Sequence, residues 1–177
     1  HLSGTAETSA GITINASSYL LQSGSGCITA SATSQTGAAL LISCLSQVQQ
    51  SGNGLLHLHG ESVSGSGVDI TTGSVLTQSG AGILNLSGRA NASGVVLESD
   101  ARITQTGIGA LRVAGTSTGA GSGITLATNA TIVQQGNGSI ALSGDAQAAW
   151  GVGLQSGAFI NQSGAGNLSL QGTSVNS

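Results

Sequence analysis

Hydrophobic residues occur along this chain in short bursts in which apolar and polar positions alternate. Residues 123–144, GITLATNATIVQQGNGSIALSG, contain three such bursts separated by Asn, Gln and Gly. An alternation with a period of two residues is typical of extended chain with one face inside and the other outside. The helical period of 3.6 residues never appears, so the pattern predicts an all-β chain of short strands.

The alternation recurs at an interval of about 28 residues. Units aligned on the segment GITL begin at residues 11, 39, 67, 94, 123 and 151, with spacings of 28, 28, 27, 29 and 28 residues. LSG at residues 2–4 matches LSG at residues 142–144, so residues 1–10 resemble the end of a further unit. The repeat predicts one domain over residues 1–177. Because there is no initiator Met and no signal peptide, we expect a piece of a longer chain.

Positions within a unit are numbered here as columns, with column 1 at the first residue of the unit. Columns 2, 4, 10, 18 and 20 are apolar in all six units, whereas odd columns hold mostly Ser, Thr, Asn and Gln. Apolar bursts in columns 1–5, 8–12 and 17–22 predict three strands per unit. A single unit buries too few aliphatic side chains to offset a backbone entropy of roughly 1–2 kcal/mol per residue. Units must therefore stack, with equivalent strands about 4.8 Å apart.

These features predict a parallel β-helix, or β-solenoid, of six coils and a partial one, with three short strands per coil. We expect it to be right-handed. Column 12 is Gln in every unit, where the alternation predicts an inward side chain. A buried amide needs hydrogen-bond partners, so we predict an internal ladder, with surface glutamines as the alternative. We also expect the glycines of columns 14 and 16 to form a tight corner with positive φ. The ladder residues are Gln22, Gln50, Gln78, Gln105, Gln134 and Gln162.

Composition excludes several classes of function. Charged residues make up 5% of the chain, the net charge is −3, and Lys and Arg together number 3. So few cations argue against a nucleic-acid partner. No apolar run approaches the roughly 18–20 residues of a transmembrane helix. Low charge and a positive mean hydropathy of +0.26 argue against disorder.

The chain resembles the repeat regions of filamentous-haemagglutinin-like and autotransporter-type bacterial adhesins. Gly-rich units such as GAGILNLSG and GNGSIALSG, followed by small polar loops, carry the resemblance through all six units. It implies an extracellular rod or stalk segment on the bacterial cell surface. The implied partners are neighbouring solenoid segments or like subunits, and host or neighbouring-cell glycans or proteins. A carbohydrate- or receptor-binding module and a self-assembling filament subunit are the alternatives. We expect no cofactor.

Three acidic residues form the best catalytic candidate that the chain offers. Asp69, Glu98 and Asp100 fall on one wall, in columns 3, 5 and 7 of neighbouring coils. Acid–base cleavage of a sugar chain needs two carboxylates facing each other across the bond. No aromatic platform or Arg is apparent beside these three, so we expect no enzyme activity.

His57 and His59 form an H-x-H pair that predicts two outward side chains on one strand. That spacing could offer two metal ligands. No Cys or carboxylate is evidently placed nearby and the pair does not recur, so we expect surface histidines and no metal site. Cys27 falls in outward column 17 and Cys44 in inward-leaning column 6, on another wall. We therefore expect the two thiols to be unpaired.

Two outward features are candidates for contacts with other molecules. A partly apolar stripe in columns 15 and 17 includes Leu55, Ile83 and Ile108. It could pack against another rod, although scattered surface aliphatics are equally compatible with the pattern. Asn-x-Ser/Thr sequons mark candidate glycan acceptors. They are Asn15, Asn85, Asn91, Asn129, Asn137, Asn161 and Asn167.

Overall fold

The computed structural model describes residues 1–176 and contains nineteen β-strands and no helix within that range. The strands form three parallel sheets, and each coil of the chain adds one strand to each sheet. The predicted β-solenoid, with six coils, a partial coil and three strands per coil, is therefore confirmed. Its handedness stays a prediction.

The three sheets are named A, B and C. In spatial order, sheet A contains β1 (Leu2–Ala6), β4 (Cys27–Ser34), β7 (Leu55–Ser62), β10 (Ile83–Ala90), β13 (Ala110–Ser117), β16 (Ser139–Ala146) and β19 (Leu168–Ser174). Sheet B contains β2 (Ile12–Ile14), β5 (Leu40–Ile42), β8 (Val68–Ile70), β11 (Val95–Leu97), β14 (Ile124–Leu126) and β17 (Val152–Leu154). Sheet C contains β3 (Tyr19–Gln22), β6 (Gln47–Gln50), β9 (Val75–Gln78), β12 (Arg102–Gln105), β15 (Thr131–Gln134) and β18 (Phe159–Gln162).

Strands pair so that residues of the same column lie opposite one another. Leu56 of β7 pairs with Leu84 of β10, and Gln50 of β6 pairs with Gln78 of β9. The full-length strands of sheet A run through column 24, two residues further than the apolar bursts predict, because the Ser and Ala side chains of column 24 also fit inside.

The interior is filled by the even-column aliphatic residues of all three sheets. Leu40, Ile42, Leu56, Ile70 and Leu76 are fully buried, and their counterparts in later coils stack upon them. Burying one such side chain contributes roughly 1.5–3 kcal/mol. Because each coil packs against near-copies of itself, its side chains are covered on both sides, which a single coil cannot provide.

Length variation is confined to the corner that leads from sheet A to sheet B. This corner takes four residues at 91–94, six at 118–123 and five at 63–67. The corner from sheet B to sheet C and the corner from sheet C to sheet A each take four residues in the central coils, as at 43–46 and 79–82. Register in the sheets therefore survives an irregular repeat.

The corner from sheet B to sheet C is a tight turn with two consecutive residues in the left-handed region. Cys44 and Leu45 have φ values of 57° and 61°. In the first coil the N–H of Ser18 closes the turn by donating to the carbonyl of Asn15 at 3.2 Å. Two residues with positive φ inside such a bond are typical of a type I′ turn. Turn N–H groups also bond to the next coil, as from Leu45 to the Thr72 carbonyl at 3.0 Å.

This turn corrects two expectations. The glycines with positive φ in residues 1–176 are Gly73 and Gly157, and both belong to this turn rather than to columns 14 and 16. Column 6 is not inward-leaning either, because it opens the turn, and Cys44 is exposed.

Candidate functional site: the glutamine column and the outward faces

The column 12 glutamines lie inside the solenoid and bond to one another over the first four coils. Gln22, Gln50, Gln78 and Gln105 are 4% exposed or less. Nε2 of each of the last three donates to Oε1 of the glutamine one coil before it, at 3.0 Å in all three cases. The structure thus brings these predicted ladder residues into one hydrogen-bonded chain.

The hydrogen bonds between successive glutamine amides end at Gln105. Within residues 1–176, Oε1 of Gln105 and Oε1 of Gln134 are buried and have no hydrogen-bond partner. Gln162 pairs with Gln134 in the sheet but is exposed. The sequence could not predict this difference, because all six units carry the same residue in column 12.

A second set of hydrogen bonds ties each amide to the corner between sheets C and A. Nε2 of Gln78 donates to the carbonyl oxygens of Gly80 at 2.7 Å and Gly82 at 3.1 Å. Gln22, Gln50, Gln105 and Gln134 make the same pair of bonds, and Gln162 bonds to the carbonyl of Gly166. The amide therefore fixes the shape of the corner that follows its own strand.

The glycines of this corner are required by close approach between coils. A Cβ on Gly82 would lie 2.0 Å from the carbonyl oxygen of Gly54 and 2.4 Å from Nε2 of Gln50. Gly26 occupies the same column in the first coil, and a Cβ there would meet nothing within 4 Å. A missing side chain, and not a positive φ, is therefore what this corner needs.

The three predicted acidic residues do not share one wall: Asp69 lies on the outer face of sheet B, whereas Glu98 and Asp100 lie in the turn that follows β11. Asp69 is half-buried in β8 between Leu41 and Val96, and its Oδ1 is a further buried oxygen without a partner in residues 1–176. Burial, and then the charge of Glu98, raise the pKa of Asp69 to about 6. Asp100 is exposed in the tight turn, with a φ of 65°. The expectation of no enzyme activity stays a prediction.

The outer face of sheet A carries the two histidines. The rings of His57 and His59 stack with centroids 6.2 Å apart and planes 11° from parallel. Oε1 of Glu61 lies 3.3 Å from Nε2 of His59, so the expectation that no carboxylate lies nearby is wrong. The alternation itself could have revealed it, because Glu61 is the next outward residue of the same strand. In the part of the chain that the structure describes, no three His, Cys, Asp or Glu side chains are already placed to hold a metal ion.

The two cysteines and the apolar stripe lie at the surface. Cys27 and Cys44 are free and exposed, and Cys27 pairs with Leu55 in the sheet. Leu55 and Ile83 are half-buried along a shallow groove, and Ile108 is 70% exposed. A lateral contact through this stripe stays a prediction.

The sequon asparagines are not equivalent. Asn85 is half-buried in β10, and its Nδ2 lies 3.0 Å from Nδ1 of His57. Six of the candidates are exposed: Asn15, Asn91, Asn129, Asn137, Asn161 and Asn167. Glycosylation stays a prediction, and the occupied hydrogen bond makes Asn85 the weakest acceptor among them.

No family model matches the chain, and no curated protein or solved structure matches it either. Residues 1–176 include no helix with the length and apolar character that crossing a bilayer requires. The fold is therefore known from its own geometry, and the resemblance to haemagglutinin-like adhesins stays a prediction from the repeat.

Proposed function

We propose that this chain is a structural rod segment of an extracellular bacterial surface protein, either an adhesin stalk or a surface fibre. The observation that supports this proposal most directly is the in-register stacking of equivalent residues through six coils in all three sheets. Each coil adds about 4.8 Å to the axis, so six coils give a rod of roughly 30 Å. Length and cohesion then come from the same contacts, since neighbouring coils share hydrogen bonds and core side chains.

The variable length of the corner between sheets A and B supports this proposal. Four, five or six residues fit there while the register of the sheets on both sides is kept. A rod can therefore gain or lose coils and vary its surface loops without rebuilding its core. Neighbouring solenoid segments are the partners that such a rod requires.

A carbohydrate- or receptor-binding module is the second candidate, and one observation favours it. Tyr19 and Phe159 are 71% and 50% exposed and lie in the same outward column of sheet C. The third aromatic residue of the chain, Trp150, is exposed as well. The aromatic rings offer flat apolar surfaces next to hydrogen-bonding groups, such as the Gln47 amide that donates to the Tyr19 hydroxyl at 3.0 Å.

Duplication of one coil tests the rod, and a binding panel separates the rod from the binding module. A second copy of residues 39–66 inserted after residue 66 should lengthen the particle in solution scattering by about 4.8 Å and raise its melting temperature. A panel of glycans and matrix proteins is then tested against the original chain, Tyr19→Ala and Phe159→Ala. The rod predicts the added length and no binding that depends on these residues. Binding that is lost in either variant would replace the rod by the binding module.

The extracellular location needs its own test in the organism that makes the protein. Protease treatment of intact cells should remove the epitope of this segment while a cytoplasmic marker survives. Full protection of the segment in intact cells, with digestion only after lysis, would contradict surface display.

A further inference from the structure

Three side chains with metal-binding chemistry share the outward face of a single strand. His57, His59 and Glu61 alternate along β7, so all three project from the same side of sheet A. His57 and His59 are half-buried, and Glu61 is exposed. The two imidazole rings are nearly parallel, with their centroids 6.2 Å apart, and the Glu61 carboxylate reaches the second ring.

In each histidine, ring nitrogen Nδ1 contacts a side chain of the next coil. Nδ1 of His57 lies 3.0 Å from the Asn85 side-chain amide, and Nδ1 of His59 lies 2.8 Å from Oγ of Ser87. When Nδ1 carries the proton, Ser87 accepts from His59, and the Asn85 amide, turned to present its oxygen, accepts from His57. Nε2 of His57 is then left for a ligand, and Nε2 of His59, which lies 3.3 Å from Oε1 of Glu61, becomes available when that carboxylate moves to the ion. Orientation of a ligating imidazole by a hydrogen bond at its other nitrogen is the usual arrangement in metal sites.

From this geometry we infer that His57, His59 and Glu61 form a surface site for a divalent transition-metal ion such as Zn²⁺. Imidazole nitrogens and a carboxylate oxygen are ligands that Zn²⁺ accepts, at about 2.0–2.2 Å. The side chains are not yet convergent, so binding turns the two rings toward each other and draws in the carboxylate from its contact with His59.

The residues paired with these three side chains in the neighbouring coils add little charge to the site. The paired strand β4 places Thr29 and Thr33 opposite His57 and Glu61, and β10 places Arg89 opposite Glu61. Arg89 is thus the one cation among the residues paired with these three side chains.

The test is titration with Zn²⁺ alone in a background that lacks other strong ligands. His1→Ala, Cys27→Ser and Cys44→Ser together leave His57 and His59 as the only His and Cys side chains. Calorimetry should then give one Zn²⁺ per chain, and the imidazole nitrogen resonances of both histidines should shift. His57→Ala and His59→Ala should each weaken binding by about tenfold or more, and Glu61→Gln by a smaller factor.

Asp69→Asn is the matched control, because it removes a carboxylate from sheet B and leaves sheet A intact. Its Zn²⁺ affinity should equal that of the background chain. Absence of binding up to about 1 mM Zn²⁺, or an affinity that neither histidine substitution changes, would overturn the site. Circular dichroism of each variant shows that a lost affinity does not reflect a lost fold.

Discussion

The two ends of the glutamine column differ although every coil carries the same residue there. Gln50, Gln78 and Gln105 each donate to the glutamine one coil before, whereas Oε1 of Gln105 and Oε1 of Gln134 are buried without a partner in residues 1–176. Both parts share the bonds from Nε2 to the two glycine carbonyls of the following corner. Bracing this corner is therefore the constant role of the residue, and the amide ladder is an addition to it.

The glycine corner should be the most sensitive point of this arrangement. Gly82→Ala places a Cβ against the Gly54 carbonyl and the Gln50 amide, both parts of the rigid frame. We expect a loss of unfolding free energy above the roughly 1–3 kcal/mol typical of overpacking. Gly26→Ala is the matched control. It should change stability by less than about 1 kcal/mol, which is the size of the unfolded-chain entropy effect of replacing Gly by Ala. Urea unfolding followed by circular dichroism measures both, and equal losses would contradict the close-approach explanation.

Removing one amide from each part of the column sharpens the comparison. Gln78→Met loses the bonds that it donates to Gln50, Gly80 and Gly82 and the bond that it accepts from Gln105. It leaves buried polar groups unsatisfied, for a loss of about 2–3 kcal/mol. Gln134→Met breaks only the two corner bonds and removes an orphaned oxygen, so its loss should be about 1–2 kcal/mol smaller. The difference in urea midpoint between the two variants is the readout. A Gln134 variant as unstable as the Gln78 variant would show that the ladder is continuous in solution.

Asp69, like Gln105 and Gln134, has a buried side-chain oxygen without a hydrogen-bond partner in residues 1–176, but its side chain can ionise. Its folded-state pKa of about 6 lies above the ordinary 3.8, so its contribution to stability is present below about pH 4 and is lost as the pH rises through 6. Asp69→Asn should therefore stabilise the protein at pH 8 by about 1–2 kcal/mol, after allowance for partial exposure, and by little at pH 4. Unfolding free energies across this pH range measure the effect. Glu98→Gln should give a smaller gain, since burial is the larger cause.

Much of the fold follows from period-two alternation combined with a repeat of about 28 residues. The buried columns, the three strands and the pairing of Gln50 with Gln78 could all be predicted, because apolar side chains must face the same interior in every coil. The tight turn is signalled in only some units, because Gly73, Asp100, Asn129 and Gly157 favour positive φ, whereas Cys44 and Leu45 carry no such preference. In that unit the turn also bonds to the next coil, from the N–H of Leu45 to the Thr72 carbonyl.

The glycines show a different limit of sequence interpretation. A glycine satisfies either a positive φ or a close approach, and the sequence does not distinguish them. Gly73 serves the first need and Gly82 the second. The contact of Glu61 with His59 could have been predicted from the alternation, because both residues face outward on one strand. The contacts of Asn85 and Ser87 with the two imidazole rings could be predicted only by knowing which residues of the next coil lie opposite.

The central claim is that residues one repeat apart lie directly above one another, and distances between spin labels test it most directly. In a Cys44→Ser background, one label sits on Cys27 and the second on Ser139→Cys or Asn167→Cys. Strand pairing places Ser139 four coils from Cys27, and Asn167 precedes the next strand of the same sheet. The solenoid predicts backbone separations of about 19 and 24 Å, differing by one step of about 4.8 Å. Distances that are equal, or that decrease for the later position, would contradict it.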